Sequence, residues 1–271
     1  MRSSTGLVCV CVAGLLGAAA LSAQTLSNQS LTGKFFFRYV SIGSDSSGNA
    51  TDPRSLLGAL IFDGSGHYSF NGQTVVGAAA AASATGTGVY SVDPAGVVTM
   101  DSPLRAGDKV NARLSAEALI GSGTETTDNT FDMLVAIPAP TAAAALTGPY
   151  WVVTLEFPGG SAANARNAIF SMNSAGIGQL SPISVYGHAA TLLNGSPTTQ
   201  QVTGATYNVA SDGTGTLAFG TTSALLSGGK NVYLSADGNM LVGGSTAAGS
   251  HDIMIGVKVA VINGKIGRAH V

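Results

Sequence analysis

Charge is scarce in this chain and cysteine nearly absent. Of 271 residues, 12 are Lys or Arg and 14 are Asp or Glu, giving a formal net charge of -2. So few cations make a phosphate backbone or an anionic membrane surface an unexpected partner, and nucleic acid is disfavoured. Weak self-repulsion also favours association with itself or with a surface. The two cysteines, Cys9 and Cys11, sit close to the amino terminus, in a segment expected to be removed. The mature chain then has no thiol, no disulfide and no Cys-ligated zinc or redox site, so its stability rests on core burial and backbone pairing. Also missing is a sustained 3.6-residue apolar period that would mark a core helix. A Gly-x-Ser-x-Gly elbow, a Ser-x-x-Lys pair and a Gly-rich run with Walker spacing are absent too, which removes common hydrolase and nucleotide signatures.

What is present begins with an export signal. Met1 and Arg2 open a short positive region, Leu7 to Leu21 is apolar and uncharged, and Leu21-Ser22-Ala23 supplies small residues before Gln24. This order predicts a cleaved signal peptide over 1–23. An apolar run of about fifteen residues is shorter than the roughly 20 needed for a span, so no membrane span is expected in the mature chain. Cys9 and Cys11 lie early in the apolar run, not at its end where a lipid-acceptor cysteine would sit. Secreted, periplasmic or cell-surface localisation follows.

The rest reads as two copies of one pattern. Leu31-Thr32-Gly33-Lys34-Phe35-Phe36 recurs as Leu146-Thr147-Gly148-Pro149-Tyr150-Trp151, and Gly88-Val89-Tyr90-Ser91-Val92 is echoed by Ala205-Thr206-Tyr207-Asn208-Val209. Phe131-Asp132-Met133-Leu134-Val135-Ala136-Ile137 matches His251-Asp252-Ile253-Met254-Ile255-Gly256-Val257. Three matches in one order define a β-repeat domain at 24–137 and a second at 146–262. Between them, 138–145 is a Pro/Ala linker whose two prolines break a strand ladder and whose Ala142 to Ala145 could extend a short helix. Residues 263–271 read as a truncated end. Ile266 to Val271 can be encoded by ATCGGAAGAGCACACGTC, the form of a sequencing-adapter read, and Asn263-Gly264 is a favoured hairpin turn with no good return strand after it. The natural chain is therefore expected to continue beyond Lys265.

Within each copy, Asp, Pro and Gly punctuate β-forming runs, as in Phe62-Asp63-Gly64-Ser65-Gly66, Val92-Asp93-Pro94-Ala95-Gly96 and Ala236-Asp237-Gly238-Asn239, where a turn needs positive or preset φ. The runs place strands of the first copy at about 34–42, 55–62, 66–76, 86–92, 97–101, 109–115, 118–122 and 130–137. Eight short strands in sequence predict an all-β protein of two tandem antiparallel eight-stranded meander barrels, with two β-sandwiches as the alternative. The repeat starts, Gly33-Lys34-Phe35 and Gly148-Pro149-Tyr150-Trp151, resemble the Gly-x-aromatic opening of the first strand in calycin-type barrels, the lipocalin and avidin group. That likeness implies a barrel and carries no ligand residue over. The tandem pattern also resembles β-repeat regions of large secreted proteins of soil bacteria, which implies no particular activity.

Candidate chemistry is sparse. His67, His188, His251 and His270 have no mutual spacing that would pair two of them locally on a metal, so no metal site is expected. Asp132 and Asp252 occupy one position of the repeat, opposite the apolar stripe of Phe131, Met133, Val135 and Ile137 or of Ile253, Ile255 and Val257. They are expected to be solvated or bonded to a neighbouring turn. Glu117, Glu125 and Glu156 could join an Asp in a glycosidase pair, but without any specific spacing. The run Asp45 to Asp52 places its Gly wrongly for a calcium loop and lacks the closing Glu, so it reads as a polar surface loop. Gly243 to Thr246 reads as a turn, not an oxyanion loop. On the first strand, Phe35, Phe37 and Tyr39 share one face and Phe36, Arg38, Val40 and Ile42 the other. One face is expected to fill the core, and the other to pack on the second copy, with ligand binding as the alternative. No catalytic residue and no cofactor are expected, and the ligand-binding residues are unknown. The function expected is that of a secreted or cell-surface non-enzymatic module with a scaffold or adhesion role. The alternative is binding of a small apolar ligand or a carbohydrate, with Trp151, Tyr150 or Phe35 to Phe37 as stacking surfaces, and a secreted hydrolase comes third.

Overall fold

A computed structural model describes residues 25–123, 129–174, 178–192 and 196–259. The expected signal at 1–23, the end at 263–271, Glu125 and His270 lie outside the described residues. The fold is all β. The first half is a closed barrel of eight antiparallel strands paired in sequence order: β1 (Thr32–Ser44), β2 (Ala50–Asp63), β3 (His67–Val76), β4 (Ala82–Val92), β5 (Val97–Asp101), β6 (Lys109–Leu114), β7 (Leu119–Gly123) and β8 (Thr130–Pro138). Closure pairs β1 with both β2 and β8, so the barrel has no free edge to blunt. A pair of sandwiches is not formed.

Hairpin chemistry sets the register. Asp63 accepts from Ser65 N and His67 N, Asp93 from Ala95 N and Val97 N, and Asp237 from Asn239 N, with Gly64, Gly96 and Gly238 at positive φ beside them. Each such carboxylate closes its own turn, as Asp does wherever it can fold back on nearby backbone N–H groups.

The second half repeats the path with one break. Its strands are β9 (Gly148–Pro158), β10 (Arg166–Ser174), β11 (Ile183–Ala189), β12 (Thr198–Val202), β13 (Thr206–Val209), β14 (Thr214–Ala218), β15 (Gly229–Leu234), β16 (Met240–Gly244) and β17 (Ser250–Lys258). They form one curled sheet in the order β12-β11-β10-β9-β17-β16-β15-β14-β13. Among the described residues this half has nine strands, not the eight expected. Residues 203–205, with Gly204 at φ 70°, interrupt what is the single strand β4 in the first half. The two edges are nonetheless adjacent, since Leu180 N donates to Ala205 O at 2.9 Å and Gln179 bridges Thr206.

Alternation sends every second residue inward. In the first barrel the interior is filled by Phe35, Phe37, Tyr39, Leu60, Phe62, Met100, Leu119, Leu134 and neighbours. Phe62 meets Phe35 and Tyr90 edge-on at 5.5 and 5.0 Å. Tyr150, Val152, Phe170, Met172, Val185, Phe219, Val232 and Met254 fill the second. A third apolar cluster lies between the halves, where Phe36, Val40, Val135 and Ile137 of the first meet Val242 and Ile253 of the second, and Phe36 stacks on Tyr233 at 4.3 Å and 8°. The stripe of Phe131, Met133, Val135 and Ile137 therefore points out of the barrel. Leu134 and Ala136, between them, face the interior. The linker is packed, not helical. Ala139 N donates to Lys34 O, Ala144 N to Ser211 O, and Ala236 N to Pro138 O. These bonds tie the linker to both halves along a non-helical path and give its backbone groups partners there.

Candidate functional site

Because the apolar stripe faces outward, the opposite face that carries Asp132 and Asp252 is the inside. Both lie in the polar layer at one end of their barrel. Asp132 is half-buried and bonded across strands, not to a turn, accepting from Tyr39 Oη on β1 at 2.7 Å and, on β7, from Ser122 Oγ at 2.9 Å and from Gly123 N. Asp252 is buried, and its oxygens take Arg38 Nη2 at 2.9 Å, Lys230 Nζ at 2.6 Å and Ser245 N at 2.8 Å. Lys230 Nζ also lies 2.9 Å from Glu156 Oε1, and Arg166 holds Glu156 Oε2 at 2.6 Å. Five buried or largely buried charged groups thus form one network, with three cations and two carboxylates.

Arg38 enters this layer from the other half. It leaves the outer face of β1 and reaches the place where β16 and β17 part. There its Nε donates to Asp252 O at 2.6 Å and its Nη2 to Ser245 O at 3.2 Å. The guanidinium replaces ladder bonds that the separated strands lack. Gly244 makes room for it, because a Cβ there would lie 2.5 Å from Arg38 Nε and 2.9 Å from Asp252 O. Burial by itself would raise the Asp252 carboxyl, but Lys230 and Arg38 outweigh it and hold the group below the usual carboxylate range.

A recess of about 520 Å³ opens on this layer, lined by Glu156, Arg166, Lys230, Asn231, Thr246 and Asp252 among others. It brings together two of the candidate carboxylates, Asp252 on two cations and Glu156 on Lys230 and Arg166. A glycosidase pair needs one carboxyl group protonated to act as acid, whereas Lys230 and Arg38 hold Asp252 below the usual carboxylate range.

The remaining candidates are scattered. His67 is exposed beside Asp63, and His188 is on the outer face of β11. His251 is buried with Nε2 on Gly77 O at 2.8 Å, and burial lowers its pKa, so Nε2 carries the proton and the ring is neutral. Glu117 is exposed, and its hydrogen bond with Asp237, together with the charge of that carboxylate, raises its pKa. Asp45 closes its own loop on Ser47 N and Asn49 N, and Ser245 and Thr246 line the recess. Tyr150 points inward with its hydroxyl on Gly238 O, and burial pushes its pKa up to about 12. Among the described residues no group of three or more His, Cys, Asp or Glu is placed to hold a metal.

Sequence reasoning passed over Lys230 and Arg166. Each stands in the inward phase of an alternating strand, Lys230 with Val232 and Leu234, Arg166 with Ala168 and Phe170. A lone charge in that phase is a legible signal of a buried partner. Trp151 is at the surface, not in a pocket. With Val153 and Leu155 on β9, Ile169 on β10, Tyr186 on β11 and Val257 on β17, it forms an exposed apolar face of adjoining strands. No protein-family model matches the chain, and no curated protein matches it.

Proposed function

We propose that this chain is a secreted or cell-surface, non-enzymatic β module with a scaffold or adhesion role, built from two diverged copies of one barrel and exported by residues 1–23. The observation that carries this reading is that apolar side chains fill both interiors beneath the polar recess, which is confined to one end of the second half. A barrel that works as a ligand carrier keeps a lumen of several hundred cubic ångströms, whereas these cores supply stiffness. The outer faces are then the working surface. Common register across the closing strands supports the two-copy origin, since β9 lies between β10 and β17 as β1 lies between β2 and β8.

The polar recess favours a second reading, capture of a carbohydrate or other polyhydroxylated ligand by Lys230, Arg166, Asn231 and Thr246. Thermal melts with millimolar mono- and oligosaccharides, uronates and fatty acids separate the two. The scaffold reading predicts an unchanged midpoint throughout. A rise with one sugar that Asn231→Ala removes would replace it with ligand binding.

A further inference from the structure

The contact between the barrels is heterologous: a β1/β8 face of the first meets a β15–β17 face of the second. Register gives each face a counterpart in the other barrel. Across β1 and β8, Phe36 pairs with Ile137 and Arg38 with Val135, whereas across β9 and β17, Trp151 pairs with Val257 and Val153 with Ile255. Trp151 and Val153 hold the places of Phe36 and Arg38. Phe36 is covered by Tyr233, but Trp151 is 55% and Val257 52% exposed. No Asp, Glu, Lys or Arg points outward from β9, β10 or β11 to keep this face wet.

The other face has its counterpart on the first barrel. Ile120 pairs with Val135 as Val242 pairs with Ile255, and Arg113 pairs with Ile120 as Tyr233 pairs with Val242. Ile120 and Arg113 therefore hold the places of Val242 and Tyr233. Ile120 is 49% exposed, and Arg113 is exposed beside it. Val135 and Ile255, at the edges these faces share with the internal joint, are already covered there, so the chain has one face of each kind joined internally and one of each kind partly open.

The geometry points to head-to-tail self-association, in which the Ile120/Arg113 face of one copy docks on the Trp151 face of the next and repeats the part of the joining contact that Val135 and Ile255 do not already occupy. It rests on the scaffold reading, since it names the partner of the outer face. The Arg113 guanidinium over the Trp151 ring takes the place of Tyr233 over Phe36, a pairing that planar cations and indole rings favour. Heterologous contacts leave a free face at each end and so build open arrays unless the rotation closes a ring. The joint between copies is weaker than the one within. Val153 replaces Arg38, and Asp132, the counterpart of Asp252, already bonds within its own barrel.

Trp151 is the sole tryptophan in the sequence, so its emission reports the docking face directly. Sedimentation equilibrium with fluorescence over a wide concentration range should show average mass rising above the monomer as Trp151 emission shifts to the blue. Ile120→Lys and Val153→Asp, both at exposed sites and with the parent's melting midpoint, should each weaken association at least about tenfold by burying an unpaired charge. Mixing the two variants should restore dimers, because each keeps the face the other has lost. A monomer at every concentration would overturn the proposal, and so would dimers lost with Val153→Asp but untouched by Ile120→Lys, or an emission shift seen only on adding a β-linked oligosaccharide. Failure of the scaffold reading itself would show elsewhere, as a ligand-dependent rise in melting midpoint at monomer concentrations.

Discussion

Replacing Asp252 by Ala is expected to cost about 3–5 kcal/mol of folding stability, the range for removing one partner of a buried ion pair. The loss is large because one carboxylate serves two cations. Arg38 and Lys230 would be left buried, with only Glu156 and backbone carbonyls to compensate them. Asp132→Ala, at the matching position, should cost about 1–3 kcal/mol, because its partners are hydrogen-bond donors and its site is partly open. Urea unfolding of the two variants tests the difference. Equal costs would mean that the network is not what holds this end together. The pH profile has a fixed sign. The Asp252 carboxyl is held below its unfolded value of about 3.9, so its contribution is complete at neutral pH. It is lost as pH falls from about 4 through the folded value. Asp252→Ala should lack that part of the acid limb.

Phe36→Ala is expected to cost about 3–5 kcal/mol, as for other buried Phe truncations, whereas Phe131→Ala should stay within about 0.5 kcal/mol. Both residues are aromatic and both point out of the first barrel. Phe36 is stacked under Tyr233 in the interface, and Phe131 is exposed. If the halves unfold independently, Phe36→Ala should move only one transition and by much less than this. The expectation is a single transition for the parent, because the Arg38 network and the Phe36 cluster tie the halves together.

These two pairs also mark how far the sequence could be read. Strand positions were legible because Asp-Gly turns punctuate alternating runs, and the expected strands 97–101 and 130–137 differ from β5 and β8 by at most one residue. Which phase of an alternating strand faces inward was not. The stripe of Phe131 to Ile137 is the greasier phase of β8, yet it points outward because a second barrel covers part of it. A barrel whose outer wall is also an interface has two apolar faces, and alternation alone does not rank them. The same ambiguity hid Asp252. Its place opposite the apolar stripe reads as solvent until the stripe is known to be the outside. The break at 203–205 carries one turn signal, Gly204 at positive φ, which was passed over because 205–209 echoes the unbroken run 88–92. The charge network joins residues more than 200 positions apart, Arg38 with Asp252, so only the closed fold brings them together.

Native mass spectrometry of the purified protein is the sharpest test of the proposal of stiff filled barrels acting through their outer faces. The expected result is a monomer and a concentration-dependent ladder of its multiples, each with the mass of polypeptide alone. A bound small molecule of a few hundred daltons, retained by the monomer and released only on unfolding, would contradict it.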